Sequence, residues 1–142
     1  MAALAALVVM APATPSAAQS FFPPTAVAEF LVNYLDLSTI RSSLGPRRSI
    51  SKRTFASLGI VPTHVEPDEA VLDSNEWYYS LRVLRRADIN GDGLEDLEVC
   101  FTDHAKAGTY LSQQSLLVTR YAATGYAVAL KYEVSGCEAF LG

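Results

Sequence analysis

The spacing of apolar residues changes partway along the chain, from a helical period to a strand period. From about Thr25 to Leu37 the apolar side chains at helical spacing are Val27, Phe30, Leu31, Tyr34 and Leu35. This pattern predicts an amphipathic helix that Thr25 caps. We expect a second short helix over Ser38–Leu44 and a third helical piece over Ser51–Leu58, with Gly59 as its stop.

The stretch from Val61 to Glu76 contains two prolines and several acidic residues, and we expect it to be a connector. From Trp77 onward apolar and polar residues alternate, which is typical of half-buried strands. Four strands are predicted, over residues 79–84, 97–102, 116–121 and 126–134.

Sequential strands with short connections usually pair antiparallel. We therefore predict an α+β fold in which the N-terminal helix or helices pack on a four-stranded antiparallel meander. The chain has 142 residues, of which 50% are apolar, so it is long enough for one domain with a real core. This domain is predicted to span residues 19–142.

Residues 1–18 are typical of a secretory signal peptide. Ala2–Ala11 is an uncharged apolar run, and the small residues of Ser16-Ala17-Ala18 predict cleavage before Gln19. No Lys or Arg precedes the run, which is shorter than the ~20 apolar residues that span a bilayer. We expect a periplasmic or secreted protein without a membrane span.

The two cysteines, Cys100 and Cys137, agree with export. In an oxidising compartment they are predicted to form one disulfide, whereas in a reducing cytosol they would be two buried thiols. The disulfide would close a loop of roughly 38 residues and contribute on the order of 4 kcal/mol in the chain-entropy model.

The net charge of −4 gives no electrostatic reason to expect nucleic acid or anionic lipid as a partner. The basic residues are scattered in pairs rather than gathered in a stripe. A paired arginine at a strand end is typical of a solvated surface.

The loop between the first two predicted strands, residues 88–96, carries the most specific chemistry in the chain. Its predicted metal ligands are Asp88, Asn90, Asp92, Leu94 through its backbone carbonyl, and Asp96 directly or through water. Alternate positions of a curled loop point to one centre, and Gly93 permits the positive φ that a sharp turn needs. An all-oxygen set suits Ca²⁺, which takes about six to eight oxygen donors, and argues against zinc or copper.

This stretch resembles the calcium loops of the FG-GAP and VCBS repeat families and, more distantly, those of EF-hand and dockerin proteins. The resemblance covers about Leu81 to Leu130, and the loop is its specific part. In an EF-hand a glutamate occupies the twelfth place before a helix, whereas here that place is Val99 in a predicted strand. The chain has one copy, so the resemblance implies a calcium loop and not a closed propeller.

An alternative interpretation is a hairpin loop in which Asp and Asn side chains accept hydrogen bonds from their own backbone amides. Under the calcium interpretation the loop lacks a bidentate twelfth ligand, and we expect a Kd of about 10⁻⁴–10⁻³ M. Such an ion would neutralise the crowded carboxylates and hold the hairpin together.

Other candidates for chemistry are weaker. Asp103-His104 could be half of an acid–base system, and Glu95 and Glu98 could act as a carboxylate pair, but spacing alone does not bring such groups into one cleft. Four aromatic side chains could form a binding platform or pack beside the sheet, namely Trp77, Tyr78, Tyr110 and Tyr121.

We therefore expect a non-enzymatic, exported protein with a structural calcium site and a binding role that the sequence does not specify. Two alternatives stay open. One is a small hydrolase that uses Asp103, His104 or the loop carboxylates. The other is an inhibitor or adaptor that docks on an envelope or secreted enzyme through the Ala105–Gln113 loop.

Overall fold

A computed structural model describes residues 3–11, 17–41, 49 and 51–137 of the chain. Its main element is a six-stranded antiparallel sheet whose strands lie in chain order. The strands are β1 (His64–Val65), β2 (Glu69–Asp73), β3 (Trp77–Ala87), β4 (Asp96–Ala105), β5 (Leu111–Thr119) and β6 (Val128–Leu130). One α-helix, α1 (Val27–Tyr34), and a 3-10 turn, Leu37–Thr39, precede the sheet. Neither described helical element has the length and apolar character needed to cross a membrane.

The predicted fold, N-terminal helices on a four-stranded meander, is wrong because the sheet has six strands and the described residues contain one short α-helix. The two additional strands, β1 and β2, lie in residues 61–76, which we predicted to be a connector. Pro67 and Asp68 form the tip of their hairpin, and the Glu66 N–H donates to the Glu69 carbonyl at 2.7 Å. Proline is favoured in such turns, so it marks a hairpin here.

Strand β2 has a weak apolar pattern because only Ala70 and Leu72 are buried. Its ends are acidic, and Glu69 and Asp73 form ion pairs with basic residues of the adjacent strand and loop. Acidic residues are depleted in strands generally. Contacts with the rest of the sheet, rather than the local sequence, therefore determine that these residues form a strand.

Helix α1 is shorter than predicted at both ends. It begins after Ala26, which has a φ of 54° and makes no side-chain cap, so Thr25 is not the cap. The chain becomes extended at Leu35, which forms a parallel bridge with Ala127. This pairing takes the backbone out of the helix before Leu37.

The other predicted helices are replaced by turns. The 3-10 turn stands where the second helix was expected to begin, and positions 42–44 of that helix lie outside the described residues. Hydrogen-bonded turns occupy residues 54–58, and residues 51–53 are not helical either. Gly59 ends them with a φ of 74°, as a C-terminal glycine does in a helix.

One face of the sheet carries the core, which α1 and the turns around Phe55 cover. Phe55 is fully buried and lies 5.0 Å from the ring of Tyr79 and 6.4 Å from that of Phe101. Burial of an aromatic side chain of this size stabilises a fold by roughly 1.5–3 kcal/mol. The core therefore anchors the strands β3 and β4, whose connection carries the candidate site.

The C-terminal part of the described chain crosses the opposite face of the sheet. There Cys100 of β4 forms a disulfide with Cys137, which confirms the predicted bond. The Cys137 N–H also donates to the Ser115 hydroxyl of β5 at 2.8 Å. A buried disulfide is compatible with an oxidising extracellular compartment.

Candidate metal centre

The predicted loop connects the two longest strands, β3 and β4, of 11 and 10 residues. Ala87 and Asp96 pair directly across these strands, so the sheet holds the two ends of the loop together. Within the loop, Gly91 and Gly93 have φ values of 76° and 87°, which only glycine adopts without strain. The sequence predicted this conformation for Gly93 and did not identify Gly91.

Three of the five predicted ligands come together in the structure. Asp88, Asp92 and Asp96 each place a carboxylate oxygen within 4.8 Å of the other two, so the group could hold a metal ion. Asp88 is half-buried, Asp92 is exposed and Asp96 is fully buried. Ligation by Asn90 and by the Leu94 carbonyl stays a prediction.

The backbone amides of the loop point towards its own side chains. Every N–H from Ile89 to Leu94 donates to an Asp or Asn side chain of the loop. Asp88 alone accepts three of these bonds, at 2.9, 3.1 and 2.9 Å. This is the arrangement that the interpretation without a metal predicts, so the amide bonds alone do not identify a cation site.

The feature that the amide bonds do not account for is the carboxylate of Asp96. Its Oδ2 atom accepts the N–H groups of Ile89 and Asn90, at 2.9 and 3.3 Å. Its Oδ1 atom is buried and has no hydrogen-bond partner among the described residues. A buried acceptor without a partner costs about 1–3 kcal/mol, and more when it is charged. A cation at the centre of the three aspartates would remove this cost.

Each carboxylate oxygen can accept about two hydrogen bonds, so the amides leave room for a cation. Oδ2 of Asp88 accepts one N–H, that of Gly93. Oδ1 of Asp92 likewise accepts one, that of Leu94. The aspartates can therefore keep the amide bonds that shape the loop and still offer lone pairs to an ion.

One edge of the loop pairs with the chain near Gln19. The Gln19 N–H donates to the Gly93 carbonyl at 3.0 Å, and the Glu95 N–H donates back to the Gln19 carbonyl at 2.7 Å. These bonds form a parallel bridge between Gln19 and Leu94. The Ser20 hydroxyl adds a bond to the Glu95 carboxylate at 2.8 Å.

Arg86, at the end of β3, joins the same two segments. Its guanidinium donates to the Glu95 carboxylate at 2.7 Å and to the Pro23 carbonyl at 2.9 Å. Burial alone would raise the pKa of Glu95, but the hydrogen bonds from Arg86 and Ser20 and the charge of Arg86 lower it below its usual value. This network could not be predicted from the sequence, because 75 positions separate Ser20 from Glu95 and no local pattern connects them.

The candidate pair Asp103 and His104 is separated by the geometry of β4. Asp103 faces the core, where it is fully buried and accepts the indole N–H of Trp77 at 2.5 Å. The Tyr110 hydroxyl donates to the same carboxylate at 3.4 Å, and the rings of Trp77 and Tyr110 lie 5.9 Å apart. His104 is the next residue of the strand and points to the opposite face. The side chains of Asp103 and His104 therefore lie on opposite faces of the sheet, and the Trp77 ring packs against the core.

Glu95 and Glu98 each form an ion pair with a different arginine. Glu95 pairs with Arg86 at 2.7 Å and Glu98 with Arg85 at 3.3 Å. These ion pairs connect β3 to the loop itself and to β4. Both carboxylates are therefore explained by local ion pairing.

No protein-family model, no curated protein and no solved structure matches the chain. The likeness of the 88–96 loop to FG-GAP and VCBS loops therefore stays a prediction that rests on the loop residues.

Proposed function

We propose that this chain is a small exported protein that binds calcium in the 88–96 loop, where the ion has a structural role. The observation that carries the proposal is the carboxylate of Asp96. It is fully buried, one of its oxygens has no hydrogen-bond partner among the described residues, and it lies in a cluster with Asp88 and Asp92. A buried charge is costly unless it is paired or binds a metal.

Calcium fits this loop better than other common metals. The proposed ligands all offer oxygen, and they are Asp88, Asn90, Asp92, Leu94 and Asp96. Zinc and copper prefer nitrogen or sulfur ligands, and magnesium demands a near-octahedral shell at about 2.0–2.1 Å. Calcium accepts an irregular shell, and the exposed position of Asp92 lets water complete it.

The proposed role is to stabilise the β3–β4 hairpin. The loop joins these two strands, and Asp96 is both a proposed ligand and the first residue of β4. An ion bound there would neutralise carboxylates that repel one another. We expect a Kd of about 10⁻⁴–10⁻³ M, which is the class of extracellular calcium modules.

Export is supported by the leader-like residues 1–18 and by the disulfide. The described residues 3–11 are exposed and belong to no helix or strand. We propose that the chain is processed before Gln19 and acts in the periplasm or outside the cell. Intact-mass measurement of the protein recovered from an exporting host tests this part, because processing removes residues 1–18.

Calcium titration by calorimetry tests the metal site. The wild-type protein is expected to bind one calcium ion, and Mg²⁺ at the same concentrations is expected to compete poorly. Absence of calcium binding in the folded wild-type protein would end the proposal.

Two variants of Asp92 distinguish the loss of a calcium ligand from the loss of a hydrogen bond that shapes the loop. Asp92→Asn keeps an acceptor for the Leu94 N–H and removes the charge, whereas Asp92→Ala removes both. Both are expected to bind calcium at least tenfold more weakly. Asp68→Ala is the matched control, because Asp68 is an exposed aspartate in a different turn. Its calcium affinity should equal that of the wild type.

A further inference from the structure

We infer that calcium binding to the 88–96 loop is coupled to docking of the chain segment 19–24, each strengthening the other. We call residues 19–24 the docking segment. The inference rests on the proposed function, because it assigns that calcium site an intramolecular partner.

The docking segment contacts the loop between two proposed ligand positions. Gln19 bonds to Gly93 and Glu95, and these residues lie between Asp92 and Asp96 in the chain. Both bonds use main-chain groups, so they depend on the path of the loop. In the protein processed before Gln19 the nitrogen of this residue is the amino terminus, which can still donate to the Gly93 carbonyl. The path that lets Gln19 pair is the one that brings the three carboxylates together.

The loop without an ion carries an internal cost that favours opening. Its three carboxylates repel one another at short range, and Oδ1 of Asp96 is buried without a partner among the described residues. Opening the loop would relieve both costs but would also displace the Gly93 carbonyl and the Glu95 N–H, to which Gln19 is bonded. A bound cation would relieve both costs in the closed loop, and it would therefore favour docking.

Coupling of this kind is reciprocal. If calcium favours docking by a given factor, docking must favour calcium by the same factor. Couplings between sites commonly correspond to about 5–150-fold in affinity. The short distance here, with Glu95 directly before the proposed ligand Asp96, gives the coupling a direct backbone route.

The other end of the docking segment has an anchor outside the loop. Arg86 of β3 donates to the carbonyls of Pro23 and Pro24, at 2.9 and 3.4 Å. We therefore expect calcium to act mainly on the part of the segment around Gln19 and Ser20. Residues near Pro23 should stay attached whether or not the ion is bound.

Hydrogen exchange of the exported protein, processed before Gln19, tests the coupling. The Glu95 N–H, which donates to Gln19, is expected to exchange at least fivefold more slowly when calcium is saturating. The Leu37 N–H is the matched reference, because it also bonds to a carbonyl outside its own element, that of Arg53, far along the chain from the loop. Its exchange rate should change by a smaller factor than that of Glu95.

Ser20→Ala tests the reciprocal effect on affinity without changing charge. The variant loses the bond from the Ser20 hydroxyl to Glu95 and the bond that this hydroxyl accepts from the Phe22 N–H. Loss of one such bond corresponds to roughly fivefold in an equilibrium constant, and with two bonds lost we expect the calcium Kd to rise by at least that factor. Ser74→Ala is the control, because Ser74 makes a similar pair of bonds with Trp77 in another turn.

Either of two results overturns the inference while leaving the calcium site intact. One is calcium binding that slows exchange at Glu95 and Leu37 by the same factor. The other is a calcium Kd for Ser20→Ala that equals those of the wild type and Ser74→Ala. Failure of the wild-type protein to bind calcium at all would instead contradict the proposed function.

Discussion

The Oδ2 atom of Asp96 accepts the backbone N–H of Ile89 at 2.9 Å, so the first residue of β4 holds the first turn of the preceding loop. The Oδ1 atom of the same carboxylate is buried and has no hydrogen-bond partner among the described residues. One side chain therefore organises the loop with one oxygen, and its other oxygen accepts no hydrogen bond from the described residues and could bind the proposed cation. A substitution of Asp96 that keeps the bonded oxygen and removes the charge can therefore test the two roles separately.

Asp96→Asn removes the charge and keeps an oxygen that can accept the Ile89 N–H. We expect calcium affinity to fall at least tenfold, because a buried anionic ligand is lost. Without calcium the variant should be at least as stable as the wild type, because a buried unpaired charge is costly. Calorimetry and urea unfolding measure the two effects. Strong destabilisation without calcium, together with unchanged calcium affinity, would contradict this dual role.

Calcium removal should lower the stability of the wild-type protein. A ligand that binds only the folded state adds about 2.7 kcal/mol at a concentration of 100 times its Kd. Urea unfolding with saturating calcium and with a chelator should show a difference of this order. Asp92→Asn, measured at the same calcium concentration, should show a much smaller difference. An equal increase in the free energy of unfolding of both proteins would mean that calcium stabilises the protein by binding at another site.

Parts of this site could be predicted from the sequence because its candidate ligands are close in the chain. Alternating oxygen side chains and Gly93 define the loop locally, and the structure brings Asp88, Asp92 and Asp96 together. The contact between Ser20 and Glu95 could not be predicted in this way. It depends on how the whole sheet folds, and no periodic pattern encodes it.

The fold shows the same division between local and tertiary information. The strands β3 and β4 were predicted because apolar and polar residues alternate strongly along them. Strand β2 was missed because it has few apolar residues and two acidic ends, which ion pairs with neighbouring elements accommodate. Helix α1 was predicted too long because periodicity does not reveal that Leu35 pairs with Ala127.

Arg120 is expected to be a major structural residue, because its buried guanidinium bonds to three backbone carbonyls. It donates to Phe21, Ala123 and Gly125, each at 2.7 Å. Lysine cannot reproduce this planar set of donors, so Arg120→Lys should lower the free energy of unfolding by on the order of 3 kcal/mol. Arg85→Lys, at an exposed ion pair, should cost less than about 1 kcal/mol. Urea unfolding of both variants checks the difference, and equal small effects would contradict it.

Removal of the disulfide should lower the free energy of unfolding while the protein stays folded. The bond between Cys100 and Cys137 spans 37 positions of the chain, and the chain-entropy model assigns such a loop about 4 kcal/mol. The double variant Cys100→Ser and Cys137→Ser should lose stability of this order in urea unfolding. Its calcium affinity should stay close to that of the wild type, because the disulfide lies on the face of the sheet away from the core and outside the loop. A large loss of calcium affinity would show that the two features are coupled.

Tyr79 should make the stability of the protein fall at alkaline pH. Burial raises the pKa of its phenol above the ordinary value of 10.0, and the nearby Asp103 and Tyr110 raise it further. Above that ordinary value the unfolded chain releases the phenolic proton while the folded chain keeps it, so stability is full below pH 10.0 and is lost as the pH rises towards the higher folded pKa. The loss approaches about 1.4 kcal/mol per pH unit for one proton.

Urea unfolding as a function of pH, on Tyr79→Phe and wild type, isolates this effect. The variant should lose stability less steeply above pH 10.0 because it has no phenol to ionise at this position. Tyr121→Phe is the matched control, because it also removes one tyrosine but from an exposed position. It leaves the buried phenol in place, so it should keep the wild-type slope. Identical alkaline slopes in all three proteins would show that the Tyr79 phenol ionises as readily in the folded chain as in the unfolded one.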